Sequence, residues 1–301
     1  KHESDKLIDE KSNSNNINKL YFPEKLDISH IGNSKLYEID ILILAVPSES
    51  FRNNIKSIAP NINKKTILVS ASKGLEIPSG KRMTEIISEE VPGINENQIC
   101  ALSGPNLAGE ILQGLPSSSV IACKNIQTAK QVQSVLTSPL FRVYTNDDLV
   151  GVEIAGAFKN VIAIAAGISD GLKLGNNAKS SIITRGLAEM ARLGQTLGAH
   201  KATFAGLSGM GDLIATCSSN MSRNYRAGEL LAKGEKTSEI IASSKNVIEG
   251  INTSKSIIHL AKSQNVELPL AKSVFDILFN DLTPLKGVEN LMERDQTSEN
   301  N

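Results

Sequence analysis

The sequence of 301 residues predicts an α/β domain followed by an all-helical domain, because its pattern changes near residue 147. Before that point, short runs rich in Ile, Leu and Val alternate with segments of helical spacing, which is typical of a mainly parallel sheet covered by helices. After it, apolar repeats of helical period follow one another without a convincing strand. We therefore expect a sheet domain over 1–147, a helical domain over 148–290 and a disordered, solvated tail over 291–301.

The strands of the first domain are predicted from apolar runs. "IDILILAV" (39–46) is continuous and ends at Pro47, as expected of a strand that is covered on both faces. Residues 1 to about 35 are rich in Asn, Lys and Ser, which predicts a loop or a disordered segment. Further strands, with helical spacing between them, are predicted at 66–72, 99–104, 117–123 and 141–146.

The first helix of the second domain contains an unusual lysine. "GVEIAGAFKNVIAIAAG" (151–167) is small and apolar except for a few polar residues, and Lys159 stands in its middle. Such a lysine commonly packs its stem and extends its ammonium into water. Alternatively it lies desolvated in a cleft, where burial lowers its pKa from about 10.4 and makes the amine a usable base near neutral pH. Helices are predicted at 151–170, 178–197, 210–219, 223–233, 237–243, 250–264 and 270–281.

Composition excludes several functional classes. The 32 basic and 32 acidic residues cancel and aromatics are 4% of the chain, which disfavours a nucleic-acid partner. The three cysteines form no CxxC pair, so neither a disulfide framework nor a zinc site is predicted, and a reducing, cytoplasmic setting is favoured. We predict no metal site. We also predict no membrane span, because no uninterrupted apolar run approaches about 18 residues.

Three turns at the predicted carboxyl ends of strands form a candidate ligand site. They are "AVPS", "SASKGLE" and "LSGPNLAGE", and their small residues allow a ligand to approach the backbone closely. Lys73 would project a cation from the second turn. The dinucleotide fingerprint GxGxxG is not found between a first strand and a first helix. "GLSGMG" (206–211) is interpreted as a helix-connecting turn, and "GLEIPSGK" (74–81) departs from the phosphate-loop pattern in spacing and in its last residue.

Polar residues concentrate again in "GMGDLIATCSSNMSRNYRAGE". Ser222, Arg223 and Asn224 precede a predicted helix and carry the groups that hold a phosphate, although a plain helix cap with a surface arginine is the alternative. Asp212 stands near a helix start, where capping would explain it equally well. Glu249 opens a later helix and needs no function there. His200 lies in a connector and is the less favoured base.

These motifs together resemble one enzyme family. "AVPS", "SASKGLE", "LSGPNLAGE", the lysine helix, "LSGMGDLIATCSSNMSRNYRAGE" and "VIEGINT" are similar, in order over roughly residues 35 to 290, to NAD(P)-dependent glycerol-3-phosphate dehydrogenases of the bacterial type. The resemblance implies a Rossmann-like dinucleotide-binding domain and a helical domain with the site between them. It implies NAD or NADP as cofactor and reduction of dihydroxyacetone phosphate to sn-glycerol 3-phosphate for phospholipid synthesis.

The resemblance also assigns roles, motif by motif. Lys159 matches the catalytic proton acceptor, and Thr216 is expected in the same shell. The matches form two overlapping groups. Substrate contacts are expected from Lys73, Gly104, Asn106, Lys159, Asp212, Ser222, Arg223 and Asn224. Cofactor contacts are expected from Lys73, Ala108, Arg223, Val247 and Glu249.

Two departures from the family pattern stand out. The family usually has Ser and His where this sequence has Asn106 and Leu107, so we expect a retuned rather than a lost contact. The family's first strand, GxGxxG turn and first helix would precede Lys1, so about one βα unit is expected to be absent.

Two alternatives remain open from the sequence. One is a related dehydrogenase of the 6-phosphogluconate or 3-hydroxyacyl type. The other is a degenerate, non-catalytic homologue without cofactor binding. The sequence leaves the choice between NADH and NADPH open, and a homodimer is the candidate assembly.

Overall fold

The computed structural model describes residues 12–13, 20–21, 23–33, 35–244, 246–296 and 298. Two short strands, β1 (Ser12–Asn13) and β2 (Leu20–Tyr21), pair antiparallel inside the stretch that the sequence predicts as loop or disorder. The rest of that prediction up to residue 22 lies outside the described residues.

The main sheet has five strands in the order of the chain. Three neighbouring pairs are parallel, and the pair β5–β6 is antiparallel. If β6 ran parallel to β5, the chain would need a long crossover connection, which usually contains a full α-helix. Only a short helix lies between β5 and β6. The predicted strand positions are confirmed to within two residues at their ends. The strands are β3 (Ile41–Leu44), β4 (Ile67–Ser70), β5 (Ile99–Ser103), β6 (Ser117–Cys123) and β7 (Phe141–Asn146).

Helices pack on the sheet to form the first domain. Buried Phe51, Leu68 and Ile86 belong to one apolar cluster, which joins the sheet to two of the helices. The helices of this domain are α1 (Phe51–Ile58), α2 (Met83–Glu90), α3 (Ala108–Leu112) and α4 (Ile126–Leu136).

The second domain is all-helical in the part of the chain that the structure describes. Its last helix was not predicted, although Thr283 caps it and Pro284 occupies its first turn, which are both start signals. A π-helical turn (Leu207–Gly211) replaces the start of the helix predicted at 210–219. The helices are α5 (Leu149–Gly171), α6 (Gly175–Thr196), α7 (Lys201–Phe204), α8 (Asp212–Ser218), α9 (Arg223–Ala232), α10 (Thr237–Ser243), α11 (Glu249–Ser263), α12 (Pro269–Phe279) and α13 (Pro284–Met292).

Helix α5 is the centre of this domain. By length and composition it could cross a membrane, yet nearly all of its apolar stretch is buried inside the protein, so we interpret it as a core helix. It crosses α9 with backbones in contact. A Cβ at Gly167 would lie 1.9 Å from the Tyr225 carbonyl oxygen, and one at Gly228 would lie 2.1 Å from that of Ile164. Only glycine permits this approach, which fixes α9 against the lysine helix.

The loop after β4 joins the two domains. Leu75 is 2% exposed and belongs to the apolar core of the helical domain, although it follows a strand of the sheet. The Ser256 hydroxyl on α11 donates to the Glu76 carbonyl oxygen at 3.3 Å. The carboxyl edge of the sheet is therefore held against the helical domain.

Candidate active site

Lys159 lies buried in the middle of α5. Its residue is 7% exposed, which favours the desolvated placement over an ammonium that reaches water. Its Nζ donates to Thr216 Oγ1 at 2.8 Å and to Asp212 Oδ1. The helix itself begins with a side-chain cap, since Asp148 Oδ1 accepts the Gly151 N–H at 2.8 Å.

Both partners of Lys159 come from α8. Asp212 and Thr216 are four residues apart and therefore share one face of the helix. The Thr216 hydroxyl donates to the Asp212 carbonyl oxygen at 2.7 Å, which leaves its oxygen lone pairs to accept from Lys159. Asp212 is 1% exposed, and its carboxylate is occupied by lysines. A role for this carboxylate in capping α8 does not explain these contacts.

Lys73 reaches the same carboxylate from the other domain. Its Nζ donates to Asp212 Oδ2 and to the Gly104 carbonyl oxygen, both at 2.8 Å. Lys73 follows β4 and Gly104 follows β5, so both lie at the carboxyl edge of parallel strands, as the sequence predicts. One buried carboxylate thus bridges two ammonium groups. We call Lys73, Lys159, Asp212 and Thr216 the amine cluster.

The amine cluster sets the pKa of Lys159. Burial and, next, the nearby Lys73 ammonium together lower this pKa to about 8, although Asp212 opposes both. The charged and neutral forms of the amine are therefore equally populated near a pH of about 8. A group in this state can both donate and accept a proton.

A buried amide network joins the lysine helix to α9 and α11. Asn224 Nδ2 donates to Asn160 Oδ1 at 2.8 Å, and Asn224 Oδ1 accepts the Gly250 N–H at 2.9 Å. Each residue of this network directly follows a predicted site residue in the sequence, namely Lys159, Arg223 and Glu249. Asn160 was missed in the sequence, although a second polar residue beside Lys159 in an apolar helix was a usable signal.

Arg223 stands at the exposed N-terminus of α9. Its Nη1 donates to the Val247 carbonyl oxygen at 2.7 Å. Ser222 caps the helix by accepting the Tyr225 N–H at 3.2 Å, which is the plain cap foreseen as its alternative role. A guanidinium beside a helix N-terminus is suited to an anionic group.

Glu249 connects α11 to the "AVPS" turn. Its carboxylate accepts from the Ser48 hydroxyl and, at 3.3 Å, from the Ser48 N–H. Burial raises the pKa of Glu249 above its ordinary range. Ser48 was not singled out in the sequence, because nothing local indicates a partner about two hundred residues away.

Other predicted site residues lie outside the amine cluster. Asn106 Nδ2 donates to Ser119 Oγ at 3.0 Å, and its buried Oδ1 has no partner within the described residues. Ala108 is exposed at the start of α3. His200 donates its backbone N–H to Asp148 at 2.8 Å, which is a structural contact at the N-terminus of α5 and does not involve Lys159.

A bound cofactor would find one free acceptor at the carboxyl edge of the sheet. Gly104, in the turn after β5, has a φ of +134°, and a Cβ there would lie 3.1 Å from Ser119 Cα, so the neighbouring strand β6 requires glycine at this position. Asn106 Oδ1 has no hydrogen-bond partner among the described residues, so it is available to accept a hydrogen bond from a bound molecule. Two contacts cross between the domains here, from Ser48 to Glu249 and from Lys73 to Asp212.

Comparison with known proteins decides the family. Models of the N-terminal and C-terminal parts of NAD-dependent glycerol-3-phosphate dehydrogenase match residues 1–129 and 148–289. The chain belongs to this family. The predicted resemblance is thereby confirmed, and the related dehydrogenase types weighed from the sequence are not favoured.

Members of the glycerol-3-phosphate dehydrogenase family are similar over most of the chain. A glycerol-3-phosphate dehydrogenase (NAD(P)+) of Dehalococcoides mccartyi is 46% identical over 273 residues, which are 90% of this chain and 76% of that protein. One from Lysinibacillus sphaericus is 42% identical over 95% of this chain and 86% of its own length. The crystal structure of the Coxiella burnetii glycerol-3-phosphate dehydrogenase has a TM-score of 0.89 and 37% identity, and covers 97% of this chain and 88% of that one.

Proposed function

We propose that this protein catalyses the reversible NAD(P)-dependent reduction of dihydroxyacetone phosphate to sn-glycerol 3-phosphate, with Lys159 moving the proton. The observation that carries the proposal is the buried amine of Lys159, which is hydrogen-bonded to Asp212 and Thr216 in a chain of the glycerol-3-phosphate dehydrogenase family. The substrate's carbonyl oxygen at C2 would receive its proton from this ammonium.

Proton transfer at Lys159 has a direction that depends on pH. A bound nicotinamide cofactor supplies the hydride for reduction and accepts it in oxidation. In reduction, the protonated Lys159, which prevails below its pKa of about 8, donates to the oxygen on C2. In oxidation, the neutral amine, which prevails above that pKa, accepts the hydroxyl proton. The amine cluster therefore supports both directions from one residue.

Asp212, Thr216 and Lys73 would support this transfer. Thr216 and Asp212 fix the direction of the Lys159 amine. Lys73 places a second ammonium beside the same carboxylate, where it stabilises negative charge that develops on the substrate oxygen. Because Lys159 and Asp212 are buried, their charges act in a lower dielectric than water provides.

Arg223 is proposed to hold the substrate's phosphate. The exposed guanidinium at the N-terminus of α9 is suited to a phosphate, and Ser222 and Asn224 flank it. Asn224 and Asn160 link this anchor to the lysine helix, so that binding of the phosphate orients the carbon that reacts.

The cofactor is proposed to lie along the carboxyl edge of the sheet, against α11. Lys73, Ala108, Arg223, Val247 and Glu249 are its proposed contacts on the resemblance to the family. Support comes from the buried Asn106 Oδ1, which has no partner within the described residues, and from the contact between Glu249 and the "AVPS" turn. Titration with NADH and with NADPH, followed by cofactor fluorescence, tests binding and the preference between the two.

A substrate panel tests the proposed reaction. Oxidation of NADH or NADPH is followed at 340 nm with dihydroxyacetone phosphate, unphosphorylated dihydroxyacetone and a 3-ketoacyl substrate, and reduction of NADP+ is followed with 6-phosphogluconate. We expect turnover with dihydroxyacetone phosphate alone. Turnover with one of the other phosphorylated or acylated substrates would replace the proposal. Absence of both turnover and cofactor binding from a folded protein would favour the non-catalytic alternative.

Setting and assembly are proposed on the same resemblance. The three cysteines are free and buried, which supports a reducing, cytoplasmic compartment. A place in glycerophospholipid synthesis follows from the product, which is the backbone of phospholipids. We also propose a homodimer, which light scattering of the purified protein would confirm or exclude.

A further inference from the structure

The loop that carries Lys73 is closed on itself. Within it the Glu76 N–H donates to the Lys81 carbonyl oxygen at 2.9 Å, and Leu75 pairs with Arg82 in an antiparallel bridge. Arg82 is therefore held opposite Leu75, only two residues along the chain from Lys73. A displacement of Arg82 would be transmitted to Lys73 through this short backbone connection.

A buried glutamate of the lysine helix holds the far side of this loop. Glu153 is 8% exposed, lies six residues before Lys159 on α5, and accepts from Arg82 Nη1 at 3.0 Å. It also accepts the Thr84 N–H at 2.9 Å and the Thr84 hydroxyl at 2.5 Å. Glu153 thus caps α2, a helix of the sheet domain, from a helix of the other domain.

We propose that Glu153 is a positioning residue that sets the Lys73 ammonium against Asp212, acting through Arg82, Thr84 and the closed loop. The proposal rests on the proposed function, since it presupposes that Lys73 and Lys159 act together. It goes beyond that function because Glu153 belongs to no part of the substrate or cofactor shell.

The outer side of the same loop is held by a different set of ion pairs. Arg52 on α1 donates to Glu76 at 2.6 Å and 2.9 Å and to Glu89 at 2.8 Å, but these side chains are partly open to water. The Arg52–Glu76 pair is bidentate and belongs to a network, an arrangement in which a partly exposed ion pair can still contribute. This network ties the loop to helices of the sheet domain, whereas the buried Glu153 contacts tie it to the lysine helix.

The electrostatic consequence of this placement is measurable. The Lys73 ammonium lowers the pKa of Lys159, whereas Asp212 raises it, and Cys217 is the other titratable group that faces the amine. If Lys73 moves away from Asp212, the pKa of Lys159 rises. The pH at which glycerol 3-phosphate oxidation reaches its plateau then moves to a higher value. A loss of stability alone would not shift this profile.

Glu189 supplies a matched control. It is 3% exposed, lies on α6, and caps α12 by accepting the Leu270 N–H at 2.6 Å and the Ala271 N–H at 3.0 Å. Both glutamates are therefore buried carboxylates that cap a helix from a different helix. Only Glu153 contacts the loop that carries Lys73.

The experiment compares Glu153→Gln with Glu189→Gln. Thermal unfolding and kcat over pH 6 to about 10 are measured for both, with glycerol 3-phosphate and NAD(P)+. We expect both variants to lose stability. We expect only Glu153→Gln to lower kcat, by about ten- to a hundredfold, and to move the pH profile upward. Identical kcat values and pH profiles for the two variants would overturn the proposal.

A second pair of variants decides the matter if Glu153→Gln does not fold. Thr84→Val removes the hydroxyl whose hydrogen bond Glu153 accepts, but it keeps the shape of the side chain. Thr84→Ser keeps the hydroxyl. We expect the upward shift of the pH profile in the valine variant and rescue in the serine variant. Equal profiles for the two would overturn the proposal.

Failure of the inference can be told apart from failure of the proposed function. If Lys159→Ala loses turnover while Glu153→Gln behaves like Glu189→Gln, only the positioning role is lost. If Lys159→Ala retains turnover, the proposed role of Lys159 in proton transfer, on which the inference rests, is wrong.

Discussion

The two ends of the candidate site differ in their exposure to water. In the amine cluster Lys159, Asp212 and Thr216 are buried and Lys73 is partly exposed, and the three charges neutralise one another only in part, since two ammonium groups share one carboxylate. The anchor at Arg223 is exposed and hydrogen-bonded through a backbone carbonyl. Burial is useful where a pKa must be moved, because a desolvated amine loses its preference for the charged form. A guanidinium needs no such shift, so it can meet its anion at the surface.

The two ends are nevertheless fixed relative to each other. Asn160 follows Lys159 and Asn224 follows Arg223, and the two amides are hydrogen-bonded to each other in the interior. The distance between the reacting end and the anchoring end is thus set by packed helices rather than by flexible side chains. This comparison predicts that substitutions at the buried end affect kcat, and that substitutions at the exposed end affect KM.

The largest effect is expected from Lys159→Ala. Loss of the proton donor and acceptor should lower kcat by about 10²- to 10⁴-fold, with KM for dihydroxyacetone phosphate little changed. Steady-state kinetics and circular dichroism measure turnover and folding together. A variant with near-normal kcat would remove Lys159 from its proposed role.

The second-largest effect is expected from Asp212→Asn. Removal of a carboxylate that pairs two ammonium groups should cost about 3–5 kcal/mol of stability and lower the pKa of Lys159, since Asp212 is the group that raises it. The oxidation profile should therefore reach its plateau at lower pH, in contrast to the shift expected from Glu153→Gln. Urea unfolding and kcat against pH measure both effects.

Asp276→Asn is the control for this variant. Asp276 pairs with Lys272 four residues away on the surface of α12. Loss of this pair should cost less than about 1 kcal/mol and leave the pH profile unchanged. Equal stability losses in the two aspartate variants would contradict the buried bridge.

Arg223→Ala should show the smallest effect on kcat and a clear effect on KM. Loss of a charge-assisted contact to phosphate is worth roughly 1.5–3 kcal/mol, so KM for dihydroxyacetone phosphate should rise by about ten- to a hundredfold. The matched control is Arg226→Ala, an exposed arginine on the same helix outside the proposed site. A fall in kcat at unchanged KM would mean that Arg223 acts at the reacting end. That result would contradict the predicted difference between the two ends.

The sequence predicted what depends on local pattern. Strands β3 to β7 and most helices of the second domain follow from apolar runs and helical period, and Lys159 was conspicuous because its helix is otherwise small and apolar. Helix α13 was missed although Thr283 and Pro284 are local start signals. The antiparallel pairing of β5 with β6 could not be predicted, because the sequence between these strands has the same pattern as the other strand–helix connections.

The sequence could not predict contacts between distant residues. Lys73 and Asp212 are 139 residues apart, and neither turn contains a signal for the other. The same holds for Thr84 with Glu153 and for Ser48 with Glu249. Such pairings depend on how the two domains pack, and only the resemblance to a family placed Lys73 and Asp212 in one site before the fold was known.

The most direct test is the pKa of Lys159 itself. Carbon-13 NMR of protein labelled at the lysine Cε follows each amine through a pH titration, and Lys159→Ala identifies the signal by its absence. The account predicts that this one resonance titrates with a pKa of about 8. A Lys159 signal that titrates at the ordinary lysine value, above about 10, would contradict a desolvated amine as the group that moves the proton.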